Sequence, residues 1–187
     1  MFKNLFCRTK DLPVLETERL VLRQLLVRDK YDMFEYSKNP EVTKYLLWRE
    51  HKDIHHTAKF LKYLRSAYRR GECWEWAIVN KAENKMIGTV GFVSFDNQHN
   101  AAEVGYVISD KYWGNGYAPE ALRRIINFGF DELFLNRIYA RHIVGNERSG
   151  RVMQKSGMTF EGIQRKSMYI KEQYRDISLY SIIKDDI

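Results

Sequence analysis

The sequence predicts a mixed α/β domain, a mostly antiparallel twisted sheet flanked by helices, on three observations. At Trp74 the apolar period changes from helical to two, and it stays at two through three runs joined by short polar connections, as in an antiparallel meander. After the meander, Ala118, Ala121, Leu122, Ile125, Ile126 and Gly129 follow i, i+3, i+4, i+7, i+8, i+11, the mark of an amphipathic helix. Strand and helix patterns then alternate to the carboxyl end, which puts helices on the faces of the sheet.

In chain order, residues 20–25 read as the first strand after a polar lead-in. Residues 29–37 are helical until Asn39-Pro40 breaks them, and a short helix restarts from Pro40, since proline is tolerated in a first turn. Asp53 is placed to cap a longer helix reaching Arg70, with Ala58, Leu61, Leu64, Ala67 and Tyr68 inward. Its outer face carries Lys59, Lys62, Arg65 and Arg69; such a stripe suits a phosphate backbone or an acidic protein, and is more commonly a plain solvated face. Trp74, Trp76 and Ile78 alternate with Glu75 and Ala77 in the first meander strand, followed by strands at 86–95 and 102–108. Then come a helix at 117–130, a strand at 137–143, a helix at 148–156, and two strands near 162–170 and 175–183.

The 187 residues, with 31 Lys+Arg against 24 Asp+Glu and 44% hydrophobic residues, suit a single domain spanning residues 1–187. That apolar share excludes disorder. No run approaches the ~18 apolar residues of a membrane span. The amino terminus, Met1 to Arg8, is too short and too soon charged for a signal peptide. Cys7 and Cys73 have no metal-type spacing and the five histidines are scattered, so no metal is expected and a cytoplasmic setting is the default. The +7 balance favours an anionic partner without naming it. Ten of the eleven glycines lie between Gly88 and Gly162, which directs attention to that half of the chain.

There, Gly114-Asn115-Gly116-Tyr117-Ala118-Pro119-Glu120 lies between a strand and the amphipathic helix. A glycine turn at a helix start presents unpaired N–H groups and the positive end of the helix dipole, with no Cβ to keep a phosphate away. It is not a dinucleotide fingerprint, because Pro119 stands where the third glycine belongs, nor a P-loop, because no Gly-Lys-Ser/Thr follows.

The segment belongs to an ordered set covering nearly the whole chain. The set comprises Leu15-Glu16-Thr17-Glu18-Arg19-Leu20, Glu103-Val104-Gly105-Tyr106-Val107-Ile108, Tyr112-Trp113 before the turn, Asn146-Glu147-Arg148-Ser149, Lys155-Ser156-Gly157-Met158, Phe160-Glu161-Gly162 and Tyr174-Arg175-Asp176. It resembles the GNAT superfamily of acetyl-CoA-dependent N-acetyltransferases, and within it the RimJ/RimL type that acetylates ribosomal-protein amino termini. The resemblance implies a GNAT-like fold, acetyl-CoA as cosubstrate and no metal. It also implies pyrophosphate contacts from Gly114, Asn115, Gly116, Tyr117 and Ala118, with Val107 and Ile108 flanking the thioester. Where the family often has Gln or Arg before the turn, this chain has Lys111, which supplies charge at the cradle but not a bidentate fork.

Acetyl transfer needs a neutral amine. An α-amine of pKa near 8 is about one-tenth neutral at pH 7, whereas a lysine amine costs roughly 3 kcal/mol more to deprotonate. Glu103, alternating with Gly105 and Val107 on one strand face, is the candidate base; its other reading is an ion-paired strand carboxylate. Some RimL-like enzymes place a further carboxylate where this chain has Met168, which accepts no proton. Asn146 reads as a helix cap. The resemblance sets both Asn146 and Ser149 beside CoA, with Ser149 assisting the departing thiolate. Backbone N–H near Val107 would hold the oxyanion. Tyr45, Trp48, Trp74 and Trp76 suit either an acceptor wall or the core.

The acceptor implied is a protein amino terminus, with a small amine, amino acid or antibiotic as the alternative, and the chain a monomer or homodimer. Net charge of +7 leans against polycationic acceptors. Gly91-Phe92-Val93-Ser94-Phe95 echoes part of an RNA-recognition octet, but Gly88, Thr89 and Val90 replace its basic residue, glycine and stacking ring. One lost ring weakens RNA binding by roughly 1–3 kcal/mol, so no direct nucleic-acid binding is expected.

Overall fold

A computed structural model describes residues 12–187; Cys7 and the amino-terminal segment considered above lie outside the described residues. The strands are β1 (Leu15–Glu16), β2 (Leu20–Arg23), β3 (Trp74–Asn80), β4 (Lys85–Asp96), β5 (Ala101–Ile108), β6 (Arg137–Ile143), β7 (Thr159–Ile170) and β8 (Gln173–Ile183). They form one sheet in the order β1-β2-β3-β4-β5-β6-β8-β7. Among the described residues five α-helices accompany it: α1 (Lys30–Ser37), α2 (Pro40–Thr43), α3 (Ile54–Arg69), α4 (Tyr117–Asp131) and α5 (Glu147–Lys155). Every strand pair is antiparallel except β5 with β6, because the α4 crossover returns the chain in the same direction.

The period of two in β3 sorts side chains onto two faces. Trp76 and Ile78 join the larger core with Ala121, Leu122, Ile125 and Ile126 of α4, while Ala77 and Val79 join Met33, Tyr36, Leu61 and Leu64 of α1 and α3. Trp76 is therefore core rather than cleft wall, and its indole N–H donates to the Pro13 carbonyl at 2.8 Å. Gly129 lets α4 lie close on the sheet, since a Cβ there would stand 2.7 Å from Ile138 Cδ1.

Asp53 caps α3, accepting from the His56 N–H at 2.7 Å. The inner face differs by one position from expectation. Thr57, not Ala58, is fully buried, because buried His51 gives its hydroxyl a partner at 2.8 Å. The two-residue β1 was hidden in the polar lead-in, too short to show a period.

One irregularity positions everything that follows. β5 pairs with β6 only over Ala101–Glu103, opposite Arg137–Tyr139. Beyond Glu103 the two strands diverge, β5 following β4 and β6 following β8. The opening between them exposes backbone that a regular sheet would pair.

Candidate active site

The splay is the centre of a cleft of about 1150 Å3, and three sets of residues line it. The first is the glycine turn. Gly114 and Gly116 have φ of 81° and 79°, and a Cβ at Gly114 would touch nothing within 4 Å. Backbone handedness, not crowding, requires glycine there. Gly116 is the N-cap of α4 and supplies no side-chain cap, so the first-turn N–H groups of Tyr117 and Ala118 are left for a ligand. The turn is braced from β2's approach. Glu120 accepts from the Thr17 hydroxyl (2.6 Å), the Arg19 N–H (3.0 Å) and Arg19 Nε (2.7 Å), while Arg19 also donates to the Asn115 carbonyl (3.0 Å). The Arg19 guanidinium lies 4.5 Å from the centre of the Tyr117 ring.

Arg148, Arg151 and Lys155 of α5 line the same end of the cleft, and Arg148 stacks on Trp113 at 4.5 Å. Lys111, expected from its place before the turn to supply charge at the cradle, does not join them. It pairs with Glu35 of α1, which also takes Lys85, and the two lysines hold the Glu35 carboxyl below the usual carboxylate range.

The second set lies in the splay. Val107 and Ile108 line it. The Ser109 N–H donates to the Ile87 carbonyl at 2.8 Å, so strand alternation turns the Val107 N–H toward β4 and those of Tyr106 and Ile108 into the opening. The exposed donors are thus the neighbours of Val107, not Val107 itself. Asn146 caps α5 by accepting from the Ser149 N–H at 3.4 Å. The Tyr106 hydroxyl lies 2.8 Å from both the Ser149 carbonyl and Ser149 Oγ. Its single proton serves the carbonyl, so it accepts from Ser149 Oγ–H. Burial pushes the Tyr106 phenol up, which keeps it neutral.

The third set is the opposite mouth, formed by β3, β5, β6, the segment after α2 and the β7–β8 hairpin. Tyr45, Trp48 and Trp74 line it, as does Met168, which packs with Ile143, Ile170 and Ile177. Glu103 faces the cleft in a bidentate pair with Arg141, at 2.9 Å from Nε to Oε1 and 2.7 Å from Nη2 to Oε2. Glu75, which the alternation of β3 had left as an ordinary strand residue, lies in the same mouth. Protein surrounds it closely, yet it keeps accessible surface because it faces the cleft, and burial raises its carboxyl above the usual range.

Val107, Ile108, Gly114, Gly116, Tyr117, Ala118, Asn146, Ser149 and Glu103 therefore line one cleft. Asn115 stands at the crest of the turn with its carbonyl on Arg19. Tyr106, Arg148, Arg151 and Glu75 are additions that only tertiary structure reveals. Among the described residues no group of three or more His, Cys, Asp or Glu is arranged to hold a metal ion, and no helix is long and apolar enough to cross a membrane.

The acetyltransferase (GNAT) domain family matches residues 19–159. The chain is 34% identical to the N-acetyltransferase YoaA of Bacillus subtilis (strain 168) over 172 residues, 92% of this chain and 97% of that one. Among solved structures, a GNAT-family acetyltransferase from Bacillus anthracis aligns with a TM-score of 0.82 at 28% identity, covering 92% of this chain and 99% of the other. The ribosomal-protein-S5-alanine acetyltransferase from Vibrio fischeri aligns with a TM-score of 0.78 at 27% identity, covering 93% and 98%.

Proposed function

This chain belongs to the GNAT family of acetyl-CoA-dependent acyltransferases, and from that premise we propose that it acetylates the α-amino group at a protein's amino terminus. The observation that carries the reading is the splay itself. It joins an anion cradle at one end to an amine-accessible mouth at the other, with unpaired N–H groups and a hydroxyl donor between.

The residues present fit acetyl-CoA. Gly114, Gly116, Tyr117 and Ala118 offer backbone to a pyrophosphate, and Arg148, Arg151 and Lys155 supply charge for a polyanion. Nine Lys/Arg against three acids fall between Arg137 and Arg175, so much of the +7 balance lies in the segment that borders this cradle. Bound there, acetyl-CoA supplies an activated thioester. The N–H groups of Tyr106 and Ile108 face the position of a developing oxyanion. Ser149 Oγ gives its proton to the departing sulfur, and the Tyr106 hydroxyl keeps that oxygen oriented when no ligand is present.

Two points support an α-amine. The proton cost favours it over lysine by roughly 3 kcal/mol. The likeness at 27% identity to an enzyme described as acting on a ribosomal-protein alanine points the same way. Glu103, proposed from the resemblance as the base, has both oxygens engaged by Arg141, and this pair is better suited to orienting the acceptor than to accepting a proton. A cytosolic setting fits, because acetyl-CoA and newly made protein termini meet there.

The reading is tested by thiol release from acetyl-CoA with a panel of Ser- and Ala-terminal peptides, lysine peptides, polyamines and aminoglycosides. The α-amino peptides are expected to turn over fastest. Preference for a polyamine or aminoglycoside would replace the protein acceptor with a small one.

A further inference from the structure

Glu75 lies in register with Gly91, and Gly91 with Gly105 on β5. Gly91 therefore puts no side chain of its own between Glu75 and β5, about 10 Å or two strand spacings away, and at the β5 end Val93 Cγ2 leans over Gly105, 2.9 Å from where a Cβ would stand. The adjacent row is Ala77, Thr89 and Val107. Thr89 of that row favours the charged form of the Glu75 carboxyl and stands one strand from Val107, where the thioester lies on the reading above.

The groups facing it leave its charge uncompensated. Cys73 precedes it on the β3 approach, Tyr68 comes from α3 and Tyr36 from α1, Glu72 stands at the rim, and Glu103, two positions along β5 from Gly105, lines the same cleft with Arg141 already committed. Tyr36 Oη is buried with no hydrogen-bond partner, in the field of Glu75. A carboxylate so closely surrounded by protein and left without a cation is costly unless a cation arrives with the ligand.

We propose that Glu75 receives the acceptor's ammonium group and takes its proton, acting as the base of the transfer; this rests on the acetyltransferase reading above. One ammonium proton passes to the Glu75 carboxylate. The freed nitrogen lone pair forms the C–N bond to the thioester carbonyl carbon as the C–S bond breaks. The nitrogen's second proton leaves to water, while Ser149 protonates the sulfur and is reprotonated from water. Glu75 returns its proton through the cleft mouth, so one proton is released per acetyl transferred. Burial holds the Glu75 carboxyl closer to the amine's range than a solvated carboxylate would be, as a base requires.

The test is kcat at saturating Ala-terminal peptide, followed from about pH 5.5 to 9, with acetyl-CoA affinity measured separately. Glu75→Gln should lower kcat about 10²-fold or more, abolish the acid limb and leave acetyl-CoA affinity unchanged. Thr89→Val keeps the carboxylate but removes the donor that favours its charged form, so the acid limb should move to higher pH. Wild-type kcat and limb in Glu75→Gln, or an unmoved limb in Thr89→Val, would overturn the proposal while leaving acetyl transfer standing. No thiol release by the unaltered protein with any amine overturns the transferase reading instead.

Discussion

Ser149 is held by two neighbours that serve different ends. Asn146 fixes its backbone as the cap of α5, and Tyr106 holds its hydroxyl across the splay. On the proposed reading, removing the hydroxyl takes away the proton for the sulfur but none of the cradle. Ser149→Ala should therefore lower kcat about 10²-fold with acetyl-CoA affinity near that of the parent, in paired kinetics and calorimetry. An equal loss of affinity would make Ser149 a binding group. At this scale the sequence was legible where a residue's role follows from local pattern, as for Asn146, read as a helix cap and found capping α5. It was not legible where partners come from distant strands. Nothing near Glu103 in the chain announces Arg141, thirty-eight residues on, and nothing near Glu75 announces two glycines from neighbouring strands. Lys111 misled for the same reason, since its partner Glu35 is seventy-six residues away.

Among elements, the turn into α4 is the proposed cradle for the pyrophosphate. Its N-terminus lacks a side-chain cap, and the acid of its first turn, Glu120, is occupied by Thr17 and Arg19. The Glu16-Thr17-Glu18-Arg19 segment thus braces the cradle from a distant part of the chain. Acetyl-CoA should raise the melting temperature of the parent protein, and Gly116→Glu should abolish that rise by placing a side chain and a negative charge where phosphate is expected. A shift retained in Gly116→Glu would move the anion site elsewhere. Most elements were legible because their periods are long and clean: β6 falls at the expected residues, and α4 and α5 within one residue at each end. The splay was not, because it is an absence of pairing between β5 and β6, and each strand alone has an ordinary pattern.

For the whole molecule, the sheet divides the work between its two ends. The glycine-rich, cationic half forms the cradle and the splay, while the first seventy residues, free of glycine, contribute α1, α3 and the aromatic wall at Tyr45 and Trp48. The fold class was written in the alternation of periods, but the mouth, which that wall and the β7–β8 hairpin shape together, was not. The most direct test of the account is acetylation of one peptide bearing both a free Ala amino terminus and an internal lysine, with the modified nitrogen located by fragment mass spectrometry. The account predicts acetyl on the α-amine, dependent on this protein and on acetyl-CoA. Acetyl on the lysine nitrogen, or none on either amine, would contradict it.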